Sequence, residues 1–120
     1  NALSAWADGN PSCRPAFAEA SRLLVPVIVL GEYQYGIRQS RFRERYEEWL
    51  RRNLPFAEII SVTQDTADRY AELRLQLKSH GTPIPANDLW IAAIVLEHRL
   101  PLLSNDAHFD HITGINRITF

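Results

Sequence analysis

Three short, largely apolar runs separated by stretches of helical spacing restrict this chain to an α/β fold. The runs are Val25–Leu30, Ile59–Val62 and Leu102–Ser104, with a weaker one at Arg117–Phe120. Continuous apolar character, rather than alternation, marks a strand covered on both faces, as in a parallel sheet. Pro26 has no N–H for a ladder, so it is tolerable only near the start of its strand or at an edge. Between the runs, Phe42, Tyr46, Trp49 and Leu50 recur on one helical face, and so do Tyr70, Leu73 and Leu77, in a segment that Thr63 can cap. Leu89 to Leu96 is apolar at all eight positions, which suits a helix packed on more than one side. Asn1 can cap a short helix carrying Leu3 and Trp6. Strands alternating with helices predict a mostly parallel central sheet flanked by helices.

With 120 residues, 46% of them apolar, the chain can build one core, and residues 1–120 are expected to form a single domain. A net charge of −1 excludes a bulk polycation built for nucleic acid or anionic membrane. The single cysteine, Cys13, cannot form an internal disulfide, which points to a reducing compartment, the cytoplasm. No apolar run approaches the roughly 20 residues that span a bilayer, so no membrane partner is expected. Methionine is absent and the chain starts at Asn1. Upstream residues are therefore expected, with a further strand just before the first helix.

The acids fall at informative places. Glu32 follows the first apolar run by two residues, Asp106 follows the third by two, and Asp88 opens the apolar helix. In open α/β sheets ligands bind beyond the carboxyl ends of the strands, so parallel strands would gather all three on one edge. A single such acid is explained by capping or by the helix dipole. Three together repel unless a cation neutralises them, and carboxylate oxygens suit Mg²⁺ or Mn²⁺, ions that serve phosphodiester hydrolysis.

Other polar groups accompany them in the sequence. Asp110, four residues after Asp106, would share its face on a short helix, as an auxiliary metal or water ligand or as a surface acid. His108 and His111 invite a zinc reading, which the distant lone cysteine disfavours. Residues 38–52 carry six arginines against Glu44, Glu47 and Glu48, a local net of +3. They form either a solvated face laced with pairs such as Arg43–Glu47 or a guide for RNA.

Four segments sharpen this reading. Asn1-Ala2-Leu3-Ser4, Val29 to Gly36 with Gly31-Glu32, Asn87-Asp88-Leu89-Trp90-Ile91-Ala92-Ala93, and Leu103-Ser104-Asn105-Asp106-Ala107-His108-Phe109 resemble, in order and spacing, the signatures of PIN-domain ribonucleases. The resemblance is nearest to VapC-type toxins of toxin–antitoxin pairs and runs over essentially the whole chain. It implies a metal-dependent endoribonuclease using Mg²⁺ or Mn²⁺, with Glu32, Asp88 and Asp106 as three of four site acids. Asp88 and Asp106 would be direct ligands, and Glu32 would bind a second ion or orient water. Ser104, Asn87 and Asn1 match supporting polar positions, and His108 matches a structural His-Phe.

The resemblance further implies a cognate antitoxin, a toxin homodimer, and structured RNA such as tRNA or ribosomal RNA as substrate. The fourth acid, an Asp two residues before Asn1, lies outside this chain. It is expected upstream as Asp-x after about four to six apolar residues. Were it missing from the protein, the chain would be inactive, and a non-catalytic binding module of the same fold becomes the alternative. A DNA-processing nuclease is a third reading.

Overall fold

A computed structural model describes residues 1–120 and begins as the sequence predicts, with the Asn1 side chain accepting the Ser4 N–H at 2.9 Å to cap α1 (Ala2–Ala7). The chain divides into two compact units, Asn1–Ile60 with Phe120, and Ser61–Thr119.

In the first unit α1 is followed by a 3-10 turn (Pro11–Cys13) and α2 (Arg14–Glu19), neither of which the apolar spacing announces. Strand β1 (Leu24–Pro26) leads directly into α3 (Val27–Arg38), followed by α4 (Arg43–Asn53), a 3-10 turn (Leu54–Phe56) and β2 (Glu58–Ile60). Strands β1 and β2 pair in parallel, with Val25 opposite Ile59. The expected strand Val25–Leu30 is thus corrected: it ends at Pro26, and Val27–Leu30 is the first turn of α3. The physical reason is Pro26, which donates nothing to a ladder yet fits a helix start. Val29, Leu30, Tyr33 and Ile37 then form one helical stripe, and Leu3, Val25, Tyr33, Ile37 and Leu50 make the core it packs on. Trp6 and Trp49 meet edge to face in that packing, with ring centroids 5.0 Å apart.

The second unit holds α5 (Gln64–Ser79), α6 (Ala86–His98), β3 (Leu102–Leu103), a 3-10 helix (Ala107–His111) and β4 (Arg117–Ile118). Strands β3 and β4 are also parallel, Leu103 opposite Ile118. The parallel strands of the α/β expectation are present, as two two-stranded pieces rather than one continuous ladder. Leu73 and Leu77 of α5 are buried, and α6 buries Leu89 and every residue from Ile91 to Val95. That all-round burial explains its unbroken apolar run.

Thr63 caps α5 in a reciprocal box with Thr66, whose side chain is fully buried and donates its hydroxyl to Glu97 of α6. Thr63→Ala is expected to cost about 1 kcal/mol. Thr66→Val should cost more, about 1–3 kcal/mol, because it leaves the Thr63 N–H without its acceptor and Glu97 with the Thr63 hydroxyl as its remaining donor. Urea unfolding of both variants checks the order, and the reverse ranking would mean that Glu97 finds another donor.

Candidate active site

The second unit brings Asp88 and Asp106 together. Asp88 lies in the first turn of α6, where the helix dipole favours a negative charge, and Pro85 supplies no side-chain cap. Its side chain is 19% exposed. Asp106 follows β3 and caps the 3-10 helix: its Oδ1 accepts the His108 N–H at 2.9 Å, and its own N–H donates to Ser104 Oγ at 3.0 Å. That Asx-type turn fixes the carboxylate and folds His108 back over it.

His108 closes the group. Its Nδ1 stands 3.2 Å from Asp88 Oδ2 and 3.2 Å from Asp106 Oδ1. In the tautomer that bears a hydrogen on Nδ1, the ring can donate to either carboxylate. One ligand atom from each of Asp88, Asp106 and His108 lies within 4.8 Å of the others. Neighbouring ligands of an octahedral Mg²⁺ stand about 3 Å apart and opposite ones about 4.2 Å, given bonds of about 2.0–2.1 Å. The group therefore suits a small divalent cation after a slight closing of the side chains. Two carboxylates from separate segments, one of them 43% exposed, are a donor set for Mg²⁺ or Mn²⁺.

The remaining residues fall as follows. Ser104 supports Asp106 through the hydrogen bond above, and Asn87 is exposed beside Asp88 in the first turn of α6. Asp110 does not share the Asp106 face. The segment is a 3-10 helix, in which residues four apart are turned by about 120°, so the α-helical expectation is corrected. Both Asp110 oxygens are taken by Arg117, whose Nε donates at 2.7 Å and whose Nη2 donates at 2.6 Å. The Arg117 guanidinium holds the Asp110 carboxyl below the usual carboxylate range. The pair's stabilisation is therefore present above that range and is lost as pH falls through the lowered value.

Asn1 and Glu32 belong to the first unit. Asn1 caps α1, and Glu32 is exposed on the second turn of α3, not two residues beyond a strand. In the same unit Arg43 pairs with Glu47 and both Arg51 and Arg52 pair with Glu48, while Arg41 lies over Phe42 and Arg45 over Tyr46. The ion-paired face expected of this stretch is present. The resemblance gives His108 only a structural match, whereas the structure sets it against both carboxylates through the turn that the Asp-x-His spacing signals. Arg117 carried no sequence signal, because its role depends on the pairing of β3 with β4.

The PIN domain profile matches residues 1–115. The chain belongs to the PIN domain family. Ribonuclease VapC2 of Rickettsia felis is 33% identical over 89 residues, 74% of this chain and 66% of that protein, just under two thirds of its length. Ribonuclease VapC5 of Mycobacterium tuberculosis is 28% identical over 95 residues, 78% of this chain and 70% of that protein. Among solved structures, VapBC2 of Rickettsia felis bound to a promoter DNA fragment aligns with a TM-score of 0.88 at 26% identity, covering 100% of this chain and 94% of the other. DNA-bound VapBC of Salmonella typhimurium aligns with a TM-score of 0.87 at 24% identity, covering 98% and 90%, a likeness of fold. In this PIN chain Asp88 and Asp106 stand in the Asn-Asp and Ser-Asn-Asp segments on which the family resemblance rests.

Proposed function

We propose that this protein is the ribonuclease toxin of a toxin–antitoxin pair, hydrolysing RNA at a Mg²⁺ or Mn²⁺ site held by Asp88 and Asp106. The carrying observation is the convergence of these two carboxylates with His108 in a PIN chain whose curated relatives are named as VapC ribonucleases. A divalent ion there supplies Lewis-acid stabilisation of the phosphoryl oxygens and lowers the pKa of water. Asp88 and Asp106 hold that ion. Ser104 keeps Asp106 oriented, and the His108 ring lies against both carboxylates. Asn87 and Asn1 are supporting polar residues by resemblance, and Asp110 acts through Arg117 rather than as a ligand.

The two compact units are proposed to work as one PIN domain, because the family match runs across both. A cognate antitoxin is supported by the VapBC complexes among the structural neighbours. A homodimer rests on the resemblance, and light scattering of the purified toxin tests it. Action in the cytoplasm belongs to the same reading, and no helix is long and apolar enough to cross a membrane.

The chemistry of the products tests the proposal. Hydrolysis by water leaves no 2′,3′-cyclic phosphate, whereas attack by the RNA's own 2′-hydroxyl does. Cleavage dependent on Mg²⁺ or Mn²⁺ without cyclic ends supports the proposal; cyclic ends, or cleavage undiminished in EDTA, overturn it.

Glu32 is assigned to the reaction by resemblance. It lies past the first turn of α3, where a helix dipole contributes little, so Glu32→Gln is expected to leave stability within about 0.5 kcal/mol. Cleavage should fall, with Mn²⁺ affinity reduced less than by Asp88→Asn, since Glu32 is placed at a second ion or a water. Wild-type cleavage by Glu32→Gln would remove it from the site, and the larger affinity loss in Glu32→Gln would mean the two roles are reversed.

A further inference from the structure

We propose that Arg117 is the positioning residue for Asp106, its guanidinium clamping both flanks of the segment that carries that carboxylate. On the near side Nη1 donates to the Ser104 carbonyl oxygen at 3.1 Å. On the far side Nε and Nη2 grip the two Asp110 oxygens at 2.7 and 2.6 Å. Asp106 lies between these anchors, and its N–H is held by Ser104 Oγ. The β4 strand that carries Arg117 adds a third hold, the Ser104 N–H donating to the Ile118 carbonyl at 2.9 Å.

The arrangement uses what distinguishes arginine from lysine. A planar, permanently charged fork can serve a carboxylate and a carbonyl at once, whereas an ammonium is a single point of charge. The Arg117 side chain is 16% exposed and Asp110 is 53% exposed, so the charge is held mostly inside and its counterion faces outward. Asp110 also neutralises the guanidinium, so a cation arriving at Asp106 does not meet an uncompensated positive charge beside it. Groups that fix a metal ligand's orientation typically change metal affinity or activity 10- to 100-fold when removed.

This inference rests on the reading of Asp106 as a metal ligand, and the test separates the two. Mn²⁺ is titrated into the protein expressed from its complete gene, as wild type, Arg117→Gln, Asp110→Asn and the double variant, with thermal melting in parallel. A purely electrostatic influence has opposite signs in the single variants. Removing the arginine would tighten Mn²⁺ binding and removing the aspartate would weaken it. A clamp has one sign: both single variants and the charge-neutral double variant should bind Mn²⁺ about tenfold more weakly. Undiminished affinity in the folded double variant, or tighter binding in Arg117→Gln, overturns the positioning role. If Arg117→Gln fails to fold, Arg117→Lys decides, because it keeps the charge and loses the fork. Several-fold weaker binding in it supports the clamp, and wild-type affinity refutes it. A wild-type protein that binds no Mn²⁺ overturns the site reading itself and the positioning role with it.

Discussion

Asp106→Asn and Asp88→Asn are each expected to reduce RNA cleavage at least roughly 10²-fold while leaving stability within about 0.5 kcal/mol of wild type. An ion's stabilisation of developing phosphoryl charge is worth several kcal/mol, and each 1.36 kcal/mol is a factor of ten in rate. At position 106 stability is spared because Asn keeps the oxygen that accepts the His108 backbone N–H, and at position 88 because Asn keeps a side-chain oxygen facing the His108 ring. Removing one of two neighbouring carboxylate charges can even stabilise the metal-free protein. A quench-flow or gel assay in Mg²⁺, beside a urea melt, checks both halves. Wild-type cleavage by either variant would remove that residue from the site, and unfolding in place of inactivity would assign it to helix capping.

Ile94→Ala should show the opposite profile. Ile94 has no exposed surface, at the centre of the apolar face-to-face burial of α6. Loss of three buried carbons and the cavity left behind cost about 2–5 kcal/mol. A chain of this size would lose about 10 °C or more in Tm. Residual cleavage per folded molecule should stay near wild type at low temperature, since Ile94 supplies no group to the carboxylate cluster. A loss below about 1 kcal/mol would mean that the surrounding side chains collapse into the space. Together the two sets of variants separate the side chains that do chemistry from those that hold the fold.

The pattern of what was legible follows from the range of the forces involved. Thr63 as a cap, Asn1 as a cap and the helix over Leu89–Leu96 were legible because caps and helical faces are written within a few residues. The start of α3 was not. Val25-Pro26-Val27-Ile28-Val29-Leu30 is apolar throughout, and apolar character alone does not separate a buried strand from a buried helical turn. The longer stripe through Tyr33 and Ile37, with Pro26 at its head, carried the missing signal. Helix α2 was missed because Arg14–Glu19 buries nothing fully and so shows no apolar face.

The candidate site divides the same way. Asp88 and Asp106 were legible as acids at a helix start and a strand end, positions that local pattern reveals. The bridging of His108 required the turn after Ser104, and the part played by Arg117 required a strand pairing across 13 residues of sequence. Asp110 was misplaced for a related reason: a 3-10 segment and an α-helix look alike in five residues, yet they aim the fifth residue in different directions.

The most direct measurement is a Mn²⁺ titration of the wild-type protein, followed by the electron paramagnetic resonance signal of free Mn²⁺. Asp88→Asn and Asp106→Asn are titrated in parallel. The account predicts saturable binding of one or two ions by the wild type, with at least tenfold weaker binding in each variant. Absence of saturable binding by the wild type, or affinity unchanged in both variants, would contradict it.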